Sequence, residues 1–227
     1  MFFSKQFAVW LHDILNFSFY FTTKKSGLIF KNDIAVGIKN QVGSNDAKAL
    51  DKVEKIIKIR DYGYGLEFSK SIYQLDEIDW ATGLPSKAVL IFAFKITKWP
   101  SHYQYIFYTK NDERAVFLKG AHIVIKGSKS CSTDVRYKIN RWNKCYIEFN
   151  NQDFASRYEI NEVKGTFRTG TERFSENKVY IGGKEGQYYF QGVMASFDFL
   201  SRSMFTKENI PDSVKESFLI EKYDIMD

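Results

Sequence analysis

From residue 59 onward the chain breaks into short runs rich in aromatic and β-branched residues, each ended by a turn signal after about 8–12 residues. The runs fall at 65–68, 88–97, 103–109, 115–118, 121–126, 134–139, 144–149, 156–160, 178–181 and 192–200. Lys110-Asn111-Asp112 and Lys119-Gly120 mark two of the intervening turns directly. Segments this short cannot each bury a face alone, so they must pair into sheets that pack on one another. No long helical pattern alternates with them, which removes a parallel α/β sheet. Residue usage agrees: 21 Phe and 14 Tyr among 227 residues suit a pleated, half-buried surface. Only 3 Pro and 14 Gly exclude a collagen-like or disordered chain.

The first 58 residues read differently. Phe7, Trp10, Leu11, Ile14 and Leu15 recur at helical spacing, predicting a short amphipathic helix over 4–16. Phe17, Phe19 and Phe21 alternate with Ser18, Tyr20 and Thr22, as in a strand, and 28–39 looks extended beyond a turn at Lys24-Lys25-Ser26-Gly27. Gly43-Ser44-Asn45 is the best linker, and Leu50, Val53 and Ile57 mark one face of a second helix over 46–57. The expected division is an N-terminal assembly or anchoring segment, 1–58, followed by a β-domain, 59–227. His12, Asp13 and Asn16 interrupt the apolar start, so it does not read as a secretory signal, and no run reaches the ~18 residues of a membrane span.

The net charge of +6 is carried by scattered lysines beside strands and turns. They fit a polar outer face, and no nucleic-acid-binding motif accompanies them, so no nucleic acid partner is expected. Cys131 and Cys145 are too few for a disulfide framework; two free thiols are expected, with one cross-strand bridge left open. His12, His102 and His122 show no metal-ligand spacing.

Six segments in order resemble the laminin-G-like, concanavalin A-like jelly-roll domains. Tyr62-Gly63-Tyr64-Gly65-Leu66-Glu67-Phe68 is similar to the family's first core strand, and Lys87-Ala88-Val89-Leu90-Ile91-Phe92-Ala93-Phe94-Lys95 to the strand that follows. Asn140-Arg141-Trp142-Asn143-Lys144-Cys145-Tyr146-Ile147-Glu148 resembles the tryptophan-led strand. Lys178-Val179-Tyr180-Ile181-Gly182-Gly183 looks like the strand that ends in two glycines. The closing strand is matched by Phe190-Gln191-Gly192-Val193-Met194-Ala195-Ser196-Phe197-Asp198-Phe199, and the short terminal segment by Met204-Phe205-Thr206-Lys207-Glu208-Asn209-Ile210. The resemblance implies a mainly β, antiparallel two-sheet jelly-roll sandwich, to which residues 1–58 add a helix and strand extension. Trp142, Phe190, Val193, Phe197 and Phe199 are expected in its core, with a bulge near Val193 where the alternation breaks.

Jelly rolls also host glycosidases, which need two carboxylates across the scissile bond. Glu77-Ile78-Asp79-Trp80-Ala81-Thr82 offers half of such a pattern, but Ala81 or Thr82 stands where the second glutamate is required. Ser101-His102 has no carboxylate orienter nearby, and no nucleophile elbow or phosphate loop occurs. Asp76, Asp79, Asp112 and Asp153 could serve a rim calcium of the kind relatives carry, but their spacing singles out no site, and no cofactor is expected. A sugar stacks its CH face on an exposed ring while its hydroxyls seek polar partners. Trp99, His102 and Tyr103 form the best loop for this, followed by Tyr188 and Tyr189 and by Trp80.

The expectation is a non-catalytic glycan- or surface-binding protein, virion-borne or extracellular, in the first case a fibre or decoration component of a tailed phage. Residues 1–58 would join it to other structural proteins or to copies of itself. The alternatives are an extracellular lectin-like adhesin and a divergent glycoside hydrolase.

Overall fold

A computed structural model describes residues 19–22, 28–31, 34–39, 47–49, 56–59, 63–68, 70, 72–75, 87–110, 114–127, 132–150, 155–168, 178–184 and 187–202. These residues are strands and turns, with no helix among them. Numbered along the chain, the seventeen strands among the described residues form two antiparallel sheets. The first sheet runs Val163–Arg168 (β15), Ala155–Ile160 (β14), Asn143–Asn150 (β13), Lys87–Lys95 (β8), Gly192–Arg202 (β17), Gly63–Phe68 (β6) and Ile56–Ile59 (β5). Because β8 occupies one edge of β17, the other edge is shared by β6 at its start and by Phe19–Thr22 (β1) near its end. The second sheet runs Ser132–Arg136 (β12), His122–Lys126 (β11), Ala115–Lys119 (β10), Gln104–Thr109 (β9), Val179–Ile181 (β16), Tyr73–Leu75 (β7), Ala47–Ala49 (β4), Ile34–Ile38 (β3) and Leu28–Lys31 (β2). The expected sandwich is therefore present.

The core lies between the sheets and follows from side-chain alternation. Leu90, Phe92, Phe94, Cys145, Ile147 and Phe149 of the first sheet meet Phe107, Val116, Leu118, Ile123, Ile125, Val179 and Ile181 of the second in one buried cluster. Phe107 stacks on Phe149 across the gap, ring centroids 6.0 Å apart. Burying a Phe or Ile side chain stabilises by about 1.5–3 kcal/mol, so this layer dominates folding.

β8 is apolar at every position from Ala88 to Phe94, and its burial explains why. Its inward Leu90, Phe92 and Phe94 are buried, and so are Val89, Ile91 and Ala93 on the opposite side. A strand covered on both faces has no use for polar alternation. The neighbouring β13 continues this dry outer surface with buried Tyr146 and Glu148, whose side chains pair as Tyr146 Oη donates to Glu148 Oε2 at 2.9 Å.

Several expectations change. Residues 46–57 are not a helix where described: Ala47–Ala49 pairs with β3 and β7, and Ile56–Ile59 pairs with β6. Cross-strand pairing has overridden a helical spacing that local sequence supplied. The extended stretch 28–39 is two strands, paired antiparallel. The expected helix at 4–16 and linker at 43–45 lie outside the described residues. Trp142 is half-buried at the mouth of β13 and is not part of the core cluster. Asn143 is the residue that organises this turn. Its fully buried amide accepts from Lys138 N at 2.9 Å and donates to the carbonyls of Lys138 and Arg141 at 2.7 and 3.1 Å. The expected bulge exists, at Ala195: Met194 faces Phe94 while Ser196 faces Ala93. The short β7 and the polar edge strand β15 carry too little apolar pattern to be seen in sequence. Within β15, Gly165 is occupied by the ring of its cross-strand partner Tyr158, which a Cβ would strike.

Cys145 is a free, fully buried thiol, and burial holds its pKa well above the ordinary range. Cys131 lies outside the described residues.

Candidate functional site

On the second sheet, the residues between the core positions point away from the sandwich. There Ile72, Tyr108, Ala115 and Tyr180 form a separate buried cluster, with Tyr105, Phe117 and Tyr189 packed on it half-buried. Register aligns these in rows across strands: Tyr180, Tyr108, Ala115 and Lys126 in one, Tyr105, Phe117, Val124 and Asp134 in the next.

A bulge assembles the cluster. Tyr105 and Tyr108 are three apart, so a regular strand would aim them at opposite faces. β9 pairs Phe107 with Val116 but Tyr105 with Phe117, leaving Ile106 as the extra residue. Ile106 and Phe107 both enter the core. Tyr105 and Tyr108 thereby share the outer face, ring centroids 5.7 Å apart, and Tyr105 stacks on Phe117 at 4.8 Å. One inserted residue turns a strand's alternation into a tyrosine surface.

The 182–191 segment closes over one side of the cluster. Gly182 sits at φ +86°, a conformation a side chain disfavours, and its N–H donates to Ile106 O at 3.0 Å, beside the bulge. At Gly183 a Cβ would stand 2.5 Å from Ile72 Cδ1, so any side chain there would force the buried Ile72 to shift. Lys184 and Gln187 exchange backbone hydrogen bonds at 2.8 Å, and Tyr105 N donates to Tyr188 O at 2.9 Å. Tyr188 is held at φ +53°, a strained position for a bulky residue that costs about 1–3 kcal/mol. Tyr188 is 45% exposed and Tyr103 is 42% exposed, their ring centroids 6.4 Å apart. Tyr103 leans edge-on against Phe117 at 5.5 Å, and Tyr188 contacts Tyr105 at 6.0 Å. Two ammonium groups flank the rings. Lys184 Nζ lies 4.7 Å from the Tyr108 centroid and 5.5 Å from that of Tyr105, and Lys119 Nζ lies 5.7 Å from that of Tyr103.

The loop between β8 and β9 carries an exposed ring at each end. Trp99, 43% exposed, packs edge-on against Tyr137 at 5.1 Å, while Tyr103 sits beside Lys119. Tyr137 Oη donates to Gly120 O at 2.8 Å, tying the β10–β11 turn to the end of β12. Burial holds that phenol far above its ordinary pKa. Of the residues the sequence singled out, Tyr103, Tyr188 and Tyr189 are brought together, Trp99 stands apart over Tyr137, and His102 is exposed on the loop between. Trp80 lies outside the described residues, as do Glu77, Asp79 and the candidate calcium ligands Asp76, Asp112 and Asp153. Among the described residues, no three His, Cys, Asp or Glu side chains converge as a metal site. Sequence reasoning missed Tyr105, Tyr108, Phe117 and Tyr180, which period-2 patterning scatters, and Lys184, for which no local signal exists.

The arrangement offers exposed ring faces on a rigid floor of buried rings, with cations at the margin. It can stack an apolar face of a ligand and hold an adjacent polar or charged group.

No family model matches the chain, and no curated protein matches it in sequence. Solved structures do match. One is botulinum neurotoxin type C, which depends on two ganglioside molecules to get into cells: TM-score 0.54 at 12% identity, over 87% of this chain and 50% of that one. Another is domain 4 of AbnA, an extracellular arabinanase from Geobacillus stearothermophilus, in complex with arabinotriose: TM-score 0.53 at 13% identity, over 93% of this chain and 98% of that domain. A third is Trypanosoma rangeli sialidase, TM-score 0.54 at 9% identity, over 87% of this chain and 33% of the enzyme. The chain thus spans half of the neurotoxin chain and a third of the sialidase, and at these identities the likeness is one of fold.

Proposed function

We propose that this chain is a non-catalytic glycan-binding module whose ligand stacks on Tyr103 and Tyr188. The observation that carries this reading is a pair of exposed rings, 6.4 Å apart, standing on a floor of buried ones. Contacts with Phe117 and Tyr105 already order these rings, so a ligand that stacks on them meets a small entropic cost. The positive φ at Tyr188 favours the same reading, since strained residues cluster at ligand-binding sites. Support also comes from the ligands of two fold neighbours, gangliosides for the neurotoxin and arabinotriose for the arabinanase domain. The non-catalytic part rests on the glutamate missing after Asp79. The sialidase does not oppose it, because only a third of that enzyme is matched.

Trp99 and His102 would extend the surface along the same loop. As the finer form of this reading we place the module on an adhesive structure, a virion fibre or decoration protein or an extracellular adhesin, acting as a homo-oligomer. The jelly-roll resemblance supports that placement. Mass photometry of the full chain tests it, and a monomer at all concentrations would remove the oligomer.

The central test is a glycan array probed with the wild type and with Tyr103→Ala and Tyr188→Ala. Each substitution should weaken binding about five- to tenfold, the worth of one stacked ring, with only a small drop in melting temperature from the lost ring contacts. Undiminished binding by the double variant would move the site elsewhere, and an array with no bound glycan would end the reading.

A further inference from the structure

Lys119, His122 and Arg136 stand in one line across β10, β11 and β12: Lys119 pairs with His122, and His122 with Arg136. Alternation places all three on the outer face, because Leu118, Ile123 and Val135 beside them enter the core. Lys119 and Arg136 are exposed and His122 is partly so. The line begins at the stacking surface, since Lys119 is the residue whose ammonium lies over Tyr103. Adjacent strands are about 4.8 Å apart, so the three positions span about 10 Å from the ring outward. Only one carboxylate belongs to these three strands, Asp134, whose Oδ2 is 3.7 Å from His122 Nε2 and which is itself well exposed.

Lys119 and Arg136 put like charges on one row that the single carboxylate of Asp134 does not balance, which costs the fold some repulsion. An anion laid along the line offsets that cost, and a guanidinium at its end matches the two oxygens of a carboxylate or the three of a sulfate. We infer that the ligand is an acidic glycan, with a sugar ring on Tyr103 and its carboxylate or sulfate groups on Lys119, His122 and Arg136. This rests on the glycan-binding reading above and adds the substrate class. A nucleic acid strand would also favour rings and cations, but it needs successive stacking platforms along a basic groove. Here the two exposed rings are tilted by 49° and the basic line is one residue wide, which favours the glycan.

The test uses matched pairs on one array: uronate oligosaccharides with their carboxyl-reduced forms, sialylated glycans with desialylated ones, and sulfated glycans with desulfated ones, plus an oligothymidylate. The acidic members should bind about tenfold or more better than their neutral partners, a preference that declines with added salt. Lys119→Gln with Arg136→Gln should erase the preference, with no more than the small drop in melting temperature that loss of the Lys119–Tyr103 contact brings. Lys164→Gln, on β15 of the other sheet, should leave it intact. Equal binding of acidic and neutral partners overturns the acidic inference and leaves glycan binding standing, whereas no binding to any member ends both. Oligothymidylate bound as tightly as the acidic glycans would show a general polyanion surface and also overturn the inference.

Discussion

The outer faces of the two sheets obey one alternation rule and reach opposite ends. On the first sheet, Val89, Ile91, Ala93, Tyr146 and Glu148 point away from the core and are nonetheless buried. On the second, the outward positions run from the buried Tyr108 and Tyr180 to the exposed Lys119, Asp134 and Arg136, with Tyr103 and Tyr188 rising beside them. A face that is covered supplies stability and nothing for a ligand to reach. A face that is part buried and part open can use its buried rings to fix its exposed ones. Site residues in such a fold are best sought where outward aromatics change from buried to exposed along one surface, here from Tyr180 through Tyr105 to Tyr188.

Charge placed at matching positions on the two faces should separate them most. Ile91→Lys places an ammonium where only 3% of the residue is exposed and should cost several kcal/mol, leaving little folded protein. Val124→Lys, half-buried on the second sheet, should cost under about 1 kcal/mol. Urea denaturation of both proteins reads the difference, and similar midpoints would remove the contrast.

Gly183→Ala comes next. Its Cβ would run into Ile72, a residue with no exposed surface, and overpacking there should cost about 1–3 kcal/mol. Because the same loop carries Tyr188, glycan binding should weaken together with stability. Loss of stability with full binding would separate the loop from the site.

Tyr137→Phe should cost about 1 kcal/mol through the lost bond to Gly120 O, which anchors the turn bearing Lys119. The pH profile gives the second readout. The phenol ionises in the unfolded chain at its ordinary pKa and in the folded chain only well above it. Stability is therefore whole below the ordinary phenol pKa and falls as pH rises beyond it, and the Phe variant should lose that part of the alkaline slope. The smallest effect should belong to Lys184→Gln, about 0.5–1 kcal/mol from its contacts with Tyr105 and Tyr108, seen as a small drop in melting temperature.

Much of the fold was legible in the sequence. The ten runs from 65–68 to 192–200 all correspond to strands, because each carries a local aromatic or β-branched pattern between turn signals. The doubly buried β8 could be read from its unbroken apolar run, and the pair Gly182-Gly183 from its position at a strand end, where one glycine supplies a positive φ and the other room beside Ile72. Residues 46–57 misled because helical spacing in a short segment is a weak local preference, while β4 and β5 are fixed by partners far along the chain. How the strands of residues 19–59 are shared between both sheets was equally invisible, since hydrogen-bond partners leave no local mark.

The site divides the same way. Exposed aromatics beside polar residues in turns pointed to Tyr103 and Tyr188, since a turn's composition is local. The floor beneath them was not readable: it depends on an extra residue at Ile106, on register that sets Tyr105 against Phe117, and on a loop that returns to β9 from over eighty residues away. The sequence by itself determined that this chain pairs short strands into a sandwich and shows aromatic rings in its turns. Tertiary structure alone decided which rings meet and which cations line up beside them, because strand register is set by contacts between distant residues and a shift of one residue sends every side chain to the other face.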